Sequence, residues 1–278
     1  GTLTVNMKAA ATAGTADTIN IELAGATTGA DVAITSDAVG SSSIEAATIN
    51  SISAANTLAT LALDGASSLT VTGDQSLTLS QALAATVTTV DASGMTGAVG
   101  LTLSADPAAT AATAITITGS SGADSLRGTA AGADTINSGA GNDTITFATS
   151  GQLTAKDVVD GGAGTDTVST ENAATVASVL GGLSNVEKLA ITGAGATLTL
   201  ASDVNPTTFV IGDTDNQTVT LNDDYSNATT VQTIGDTGSA DTITNNSGVA
   251  LTVLAYTTDL SAARGTGQIN GAIADVTT

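Results

Sequence analysis

Short runs along the chain alternate one aliphatic residue with threonine or serine: TLTV (2–5), TINIEL (18–23), LATLAL (58–63), LTVT (69–72), LTLS (77–80) and VTTV (87–90). The same pattern returns as LTLS (101–104), ITIT (115–118), LAIT (189–192), TLTL (197–200), TVTL (218–221) and ALTVL (250–254). A period of two places every aliphatic on one face, so each run predicts a strand with one buried side. Clusters of Gly, Asp, Asn and Ser separate the runs and predict turns. Many very short strands joined by tight turns predict a solenoid or a sandwich. Helical patterns are few. SQALAATV (80–87) is one, and TENAATVASVLGGL (170–183) is a second, with Thr170 as a candidate cap and Gly181 as a candidate stop. SIEAATIN (43–50) and NVEKLAIT (185–192) share an aliphatic-Glu-apolar order, a faint repeat that predicts two related halves.

Composition narrows the picture. Only Phe147, Phe209, Tyr225 and Tyr256 are aromatic, so the core is expected to be thin layers of small aliphatics. The formal net charge is −21, from 26 acids against five bases, and all but four of the acids are Asp, a residue of turns and caps. So much like charge opposes compaction unless cations neutralise it. No basic footprint exists to meet phosphates, which argues against a nucleic-acid partner. Without Cys or His the chain has no disulfide, no thiol chemistry and no imidazole base or ligand. No apolar run reaches the ~18 residues of a membrane helix, and four aromatics cannot supply the girdles of an outer-membrane barrel, so no membrane insertion is expected. The opening GTLTVNMK has neither an initiator Met nor a signal peptide, and reads as an interior or processed piece of a longer protein.

The chemistry concentrates near the middle. Residues 119–127 read GSSGADSLR, 128–137 GTAAGADTIN, 138–146 SGAGNDTIT and 161–169 GGAGTDTVS. Each is a glycine-rich loop, then Asp, a small residue and an aliphatic. This order resembles the calcium-binding nonapeptide repeat of RTX proteins, GGxGxDxUx, with one full match and three near matches. The resemblance implies a β-roll in which two nonapeptides form one coil and calcium sits between stacked loops, about 4.8 Å apart. Glycines allow positive φ and bare carbonyls there, and calcium takes about six to eight hard oxygens from carbonyls and carboxylates. Asp124 and Asp143 lie 19 residues apart and Asp166 follows 23 later, so these three are expected along one edge. Asp134 belongs to the other edge, with Asp157 or Asp160 as its neighbour. GTADTIN (14–20) and GDTGSADTIT (235–244) place Asp17 and Asp241 in similar settings, where ordinary turns are the alternative. Asp213, Asp215 and Asn216 in GDTDN cluster in the same ambiguous way, whereas Asp223 and Asp224 read as a solvated loop tip.

The fold expected is all-β: a right-handed parallel β-helix or β-roll solenoid with strand-rich flanking modules. Its division is a strand-rich module over 1–114, a calcium-binding β-roll over 115–184 and a second strand-rich module over 185–278. The remainder of the chain is similar in its Thr/Ala/Gly style, and in the order GGAGTD…NVEKLAITG, to bacterial RTX-type surface-layer proteins such as that of Caulobacter. That resemblance implies export, folding outside the cell on calcium, and assembly into a homo-oligomeric two-dimensional lattice at the cell surface. Attachment to cell-surface polysaccharide is then expected in regions outside this chain. A calcium-rigidified segment of a secreted RTX adhesin or exoprotein is the alternative, although the chain lacks the identical tandem modules of an adhesin stalk. A polysaccharide-active β-helix enzyme is a third reading. The scarcity of aromatics and bases argues against it, and no catalytic activity is expected.

Overall fold

An isolated aliphatic between two threonines can bury itself only if a second strand lies behind it and more lie on either side. The computed structural model meets that need by stacking strands in parallel. It describes residues 2–7, 16–26, 29–36, 44–63, 65–107, 113–130, 132–171, 174–175, 177–192, 197–200, 206–211, 218–227, 229–234, 242–247 and 249–256. The strands before the repeats are β1 (Thr2–Met7), β2 (Thr18–Ala24), β3 (Ala30–Ser36), β4 (Ala46–Ile52), β5 (Asn56–Leu63), β6 (Ser68–Gly73), β7 (Leu77–Leu79), β8 (Thr89–Met95) and β9 (Leu101–Leu103). The repeats supply β10 (Thr116–Thr118), β11 (Ser125–Arg127), β12 (Thr135–Asn137), β13 (Thr144–Phe147), β14 (Val158–Asp160) and β15 (Thr167–Thr170). After them come β16 (Ala174–Thr175), the short helix α1 (Ala177–Leu180), β17 (Leu183–Ser184), β18 (Lys188–Ile191) and β19 (Thr197–Leu200). The last are β20 (Thr208–Ile211), β21 (Thr218–Leu221), β22 (Thr229–Ile234), β23 (Thr242–Asn245) and β24 (Leu251–Tyr256).

The chain is an all-β parallel solenoid. Its first sheet has 12 strands in the order β1-β3-β5-β7-β9-β11-β13-β15-β18-β20-β22-β24. The second has 8, β17-β14-β12-β10-β8-β6-β4-β2, and beyond it a 4-stranded sheet runs β16-β19-β21-β23. The first sheet's pairing is continuous through β9/β11 and β15/β18, at either side of the repeats.

Register explains the core. Leu69, Val90, Ile117, Ile136, Val159 and Leu183 stand opposite one another along the second sheet. Leu126, Ile145, Val168, Leu189, Phe209 and Val231 do the same along the first. All are buried, and the two stacks form one apolar cluster between the sheets. The outward positions form ladders of their own. One runs Thr57, Thr78, Thr102, Ser125, Thr144, Thr167, Lys188, Thr208, Thr230, Thr252. Threonine suits this place because its β-branch packs on the pleat and its hydroxyl faces water.

The two predicted helices are not present as such. Residues 80–87 form an irregular turn closed by the Val87 N–H on the Ala84 carbonyl, with Leu83 and Val87 in the core. In 170–183 the helix is the single turn of α1, preceded by the strand pairing of Ala174 and Thr175 with β19. In both places, apolar residues that suit a helix face are taken up by the solenoid core instead. Among the described residues, no helix is long and apolar enough to cross a membrane.

Candidate metal centre

Three loops, 119–124, 138–143 and 161–166, lead into β11, β13 and β15 and stack on one edge. Each ends in an Asp whose carboxylate turns back onto the coil before it. Asp143 Oδ1 accepts the Asp124 N–H at 2.8 Å, and Asp166 Oδ1 accepts the Asp143 N–H at 2.8 Å. Asp124 Oδ1 continues the ladder onto the Leu101 N–H. Sequence spacing placed these three aspartates on one edge, and the structure brings them together there. On the opposite edge Asp134 accepts the Ile115 N–H at 3.0 Å, and Asp157 Oδ1 accepts the Asp134 N–H at 2.8 Å. The neighbour of Asp134 is therefore Asp157. Asp160 lies elsewhere: it ends β14, pairs with Asn137, and accepts from Gly162 N–H and Asn185 Nδ2 beside the 161–166 loop.

The aspartate ladder buries its carboxylates. Asp143 and Asp166 are 1% and 0% exposed. Burial raises the carboxyl pKa of Asp143, Asp157 and Asp166 above the ordinary value, against the lowering effect of the N–H groups that bond them. Asp124 is pushed up to about 6, again by burial first and despite its bonds from Leu101 and Ser120. The charged form thus lacks compensation in the protein alone.

Two atoms make that lack specific. The Oδ2 atoms of Asp143 and Asp166 are buried and have no hydrogen-bond partner. The Ser138 hydroxyl, in the same loop as Asp143, donates to the Gly161 carbonyl at 2.8 Å. A Cβ on Gly161 would lie 2.9 Å from Asp166 Oδ2 and 2.0 Å from the Asn185 carbonyl oxygen, and the loops stack as closely elsewhere. Gly162 has φ +80°, and a Cβ there would lie 1.9 Å from the Gly139 carbonyl oxygen. Gly164, at φ +146°, leaves 1.7 Å to the Gly141 carbonyl oxygen. The site therefore offers an unpartnered carboxylate oxygen beside stacked peptide carbonyls, a hard-oxygen donor set suited to calcium. Among the described residues no three carboxylates converge at a point, because the carboxylates are distributed one to a loop.

Two glutamates were not among the candidates. Glu187 Oε2 accepts the Asp166 N–H at 2.7 Å, extending the ladder by one coil. Glu45 Oε2 accepts the Asp17 N–H at 2.7 Å in the same manner. The faint repeat of SIEAATIN and NVEKLAIT is the signal for them: both glutamates cap a backbone N–H one coil back. Also missed were Ser120, Thr129 and Thr154, whose hydroxyls bond the aspartate of their own loop. Asp17 lies just before β2, and its carbonyl accepts the N–H groups of Glu45 and Ala46. Asp223 and Asp224 are exposed in a turn. Asp241, Asp213, Asp215 and Asn216 fall outside the described residues.

Residues 116–145 and 155–172 match the family of the RTX calcium-binding nonapeptide repeat (4 copies). The match spans the loops and strands just described. No curated protein and no solved structure matches the chain in the same comparisons. The glycine-aspartate loops of this solenoid are thus calcium-binding repeats of the RTX type, carried in the middle of a longer run of parallel coils.

Proposed function

We propose that the chain is a non-enzymatic structural protein that folds outside the cell on calcium and assembles with copies of itself into a two-dimensional layer at a bacterial surface. The observation that carries the calcium step is the pair of unpartnered buried oxygens, Asp143 Oδ2 and Asp166 Oδ2, between stacked glycine loops. Asp124, Asp134, Asp157 and Asp160 stand around the same repeats, and Asp17 outside them; Asp143 and Asp166 hold the ion. A calcium ion bound there supplies the positive charge that neutralises carboxylates from neighbouring coils. Binding free energy then becomes folding free energy in a chain of net charge −21. Extracellular calcium is abundant and cytosolic calcium scarce, so folding would wait for export.

Assembly is supported by the distribution of charge. Among the described strand residues, the first sheet carries only Asp31, Arg127 and Lys188 as charged groups, and Asp31 is bonded by the hydroxyls of Thr2 and Thr60. The second sheet carries Glu22, Asp91 and Asp160 and no base. A threonine-faced first sheet that carries Lys188, with Arg127 ion-paired to Asp106, can approach the acidic second sheet of another copy, whereas acidic faces repel each other. A contact between unlike faces does not close on itself and so propagates. The burial of Phe147, Phe209 and Tyr225 supports a structural role over a sugar-cleaving one.

The first sheet, unbroken from β1 to β24, equally favours a rigid calcium-dependent segment of a secreted RTX exoprotein. Negative-stain electron microscopy in millimolar calcium and after chelation separates the two. Ordered sheets that dissolve on chelation support the surface layer. Discrete rods that loosen on chelation support the exoprotein segment and refute lattice assembly. Indifference to chelation refutes both.

A further inference from the structure

The repeat loops are not alike. In loop 119–124 the Ser120 hydroxyl oxygen lies 3.0 Å from each oxygen of Asp124 and 2.8 Å from the Val99 carbonyl. In loop 128–134 the Thr129 hydroxyl lies 2.8 and 3.1 Å from the two oxygens of Asp134 and accepts the Gly132 N–H at 3.2 Å. In loop 154–157 the Thr154 hydroxyl lies 3.0 Å from Asp157 Oδ2. Every carboxylate oxygen of Asp124, Asp134 and Asp157 has a donor. In loops 138–143 and 161–166 the residue in the place of Ser120 is Gly139 or Gly162, and there the aspartate keeps an unpartnered buried oxygen.

The backbone divides the loops in the same way. Gly139 and Gly141 have φ +100° and +127°, and Gly162 and Gly164 have +80° and +146°. Ser120 and Gly122, their counterparts in loop 119–124, are outside the left-handed region.

We infer that calcium binds only at the loops with paired left-handed glycines, through Asp143 and Asp166, and that the hydroxyls of Ser120, Thr129 and Thr154 occupy the ion's place in the other loops. This rests on the calcium reading above and restricts it. A hydroxyl in this position is surrounded by the oxygens that a cation would draw together. It sits among them as a neutral group while the N–H of the same residue donates to the aspartate, so the loop is closed without metal. Loops 119–124, 128–134 and 154–157 are then folded whether or not calcium is present, and they provide a preformed stack on which the two ion-dependent loops close.

The test is calcium stoichiometry of the full chain by equilibrium dialysis with elemental analysis, alongside circular dichroism. Asp143→Asn and Asp166→Asn are expected to lower the stoichiometry, and Asp124→Asn and Asp134→Asn to leave it unchanged. Ser120→Gly is expected to raise it by about one equivalent, a gain that misfolding cannot produce. Loss of calcium in Asp124→Asn or Asp134→Asn equal to that in Asp143→Asn would overturn the inference while leaving the calcium reading intact. So would Ser120→Gly with no gain and a retained strand spectrum. A parent chain that binds no calcium would remove both.

Discussion

A carboxylate taken out of water resists ionising even where N–H groups bond it, and burial pushes Asp124 up to about 6. An unfolded Asp titrates near ~3.9, so between about pH 4 and about pH 6 the folded, calcium-free protein holds a proton that the unfolded chain has lost. Calcium-free stability is therefore expected to fall as pH rises through that window, with Asp143, Asp157 and Asp166 acting in the same direction. Calcium takes the ionised form of Asp143 and Asp166, so in saturating calcium their contribution is expected to reverse while that of Asp124 and Asp157 persists. Thermal melts across the window, with chelator and with calcium, check both signs. Gly162 offers a second residue-scale test. An alanine there would adopt φ +80° and set its Cβ 1.9 Å from a carbonyl oxygen. Gly162→Ala is expected to cost more than the ~1–2 kcal/mol of a left-handed residue alone, read as a lower melting temperature and weaker calcium binding.

An element of this protein is a strand of three or four residues, and a single side chain decides it. Ile145, fully buried in β13 between Leu126 and Val168, is expected to cost about 2–5 kcal/mol when truncated to alanine, because the neighbouring coils cannot collapse into the gap. Thr146→Ala, on the outer face of the same strand, is expected to stay within about 0.5 kcal/mol. Chemical denaturation in calcium compares the two. The same economy sets what could be read in advance. Each of the alternating runs contains or overlaps a strand, because aliphatic-Thr alternation is unambiguous over four residues. β14, the triplet Val158–Asp160, lies outside the alternating runs, since its single inward side chain makes no period. The helix expected over 170–183 failed for a related reason: one apolar face fits either a helix or a coil, and the adjoining coils offered parallel pairing.

At the scale of the molecule, charge and stacking oppose each other. About 12 strands at ~4.8 Å spacing make a sheet some 50 Å long. Along it, aspartates recur on the loop edges and leave the outer face of the first sheet almost uncharged. Chelation is expected to lower the melting temperature of the whole chain, since each bound ion stabilises the folded state in proportion to the logarithm of calcium over its dissociation constant. A calcium series followed by differential scanning calorimetry measures this. High salt in place of calcium is expected to recover only part of the loss, because screening weakens repulsion between exposed charges but does not partner a buried oxygen.

Period-two alternation, the glycine-aspartate loops and the acid excess determined by themselves that this chain is all-β, coiled and calcium-binding. Each of those properties is local: an alternating face, a turn that needs glycine, a count of charges. Which aspartates face one another depended on coil length, and the spacing of 19 and 23 residues carried that for Asp124, Asp143 and Asp166. The partner of Asp134, the place of Asp160, the capping by Glu45 and Glu187, and the hydroxyls inside three of the loops were decided only in the tertiary structure. These are contacts between coils about twenty residues apart, or between a side chain and a backbone whose path bends back upon it. Their energies come from which oxygen is left without a donor, and that is settled only when the coils stack.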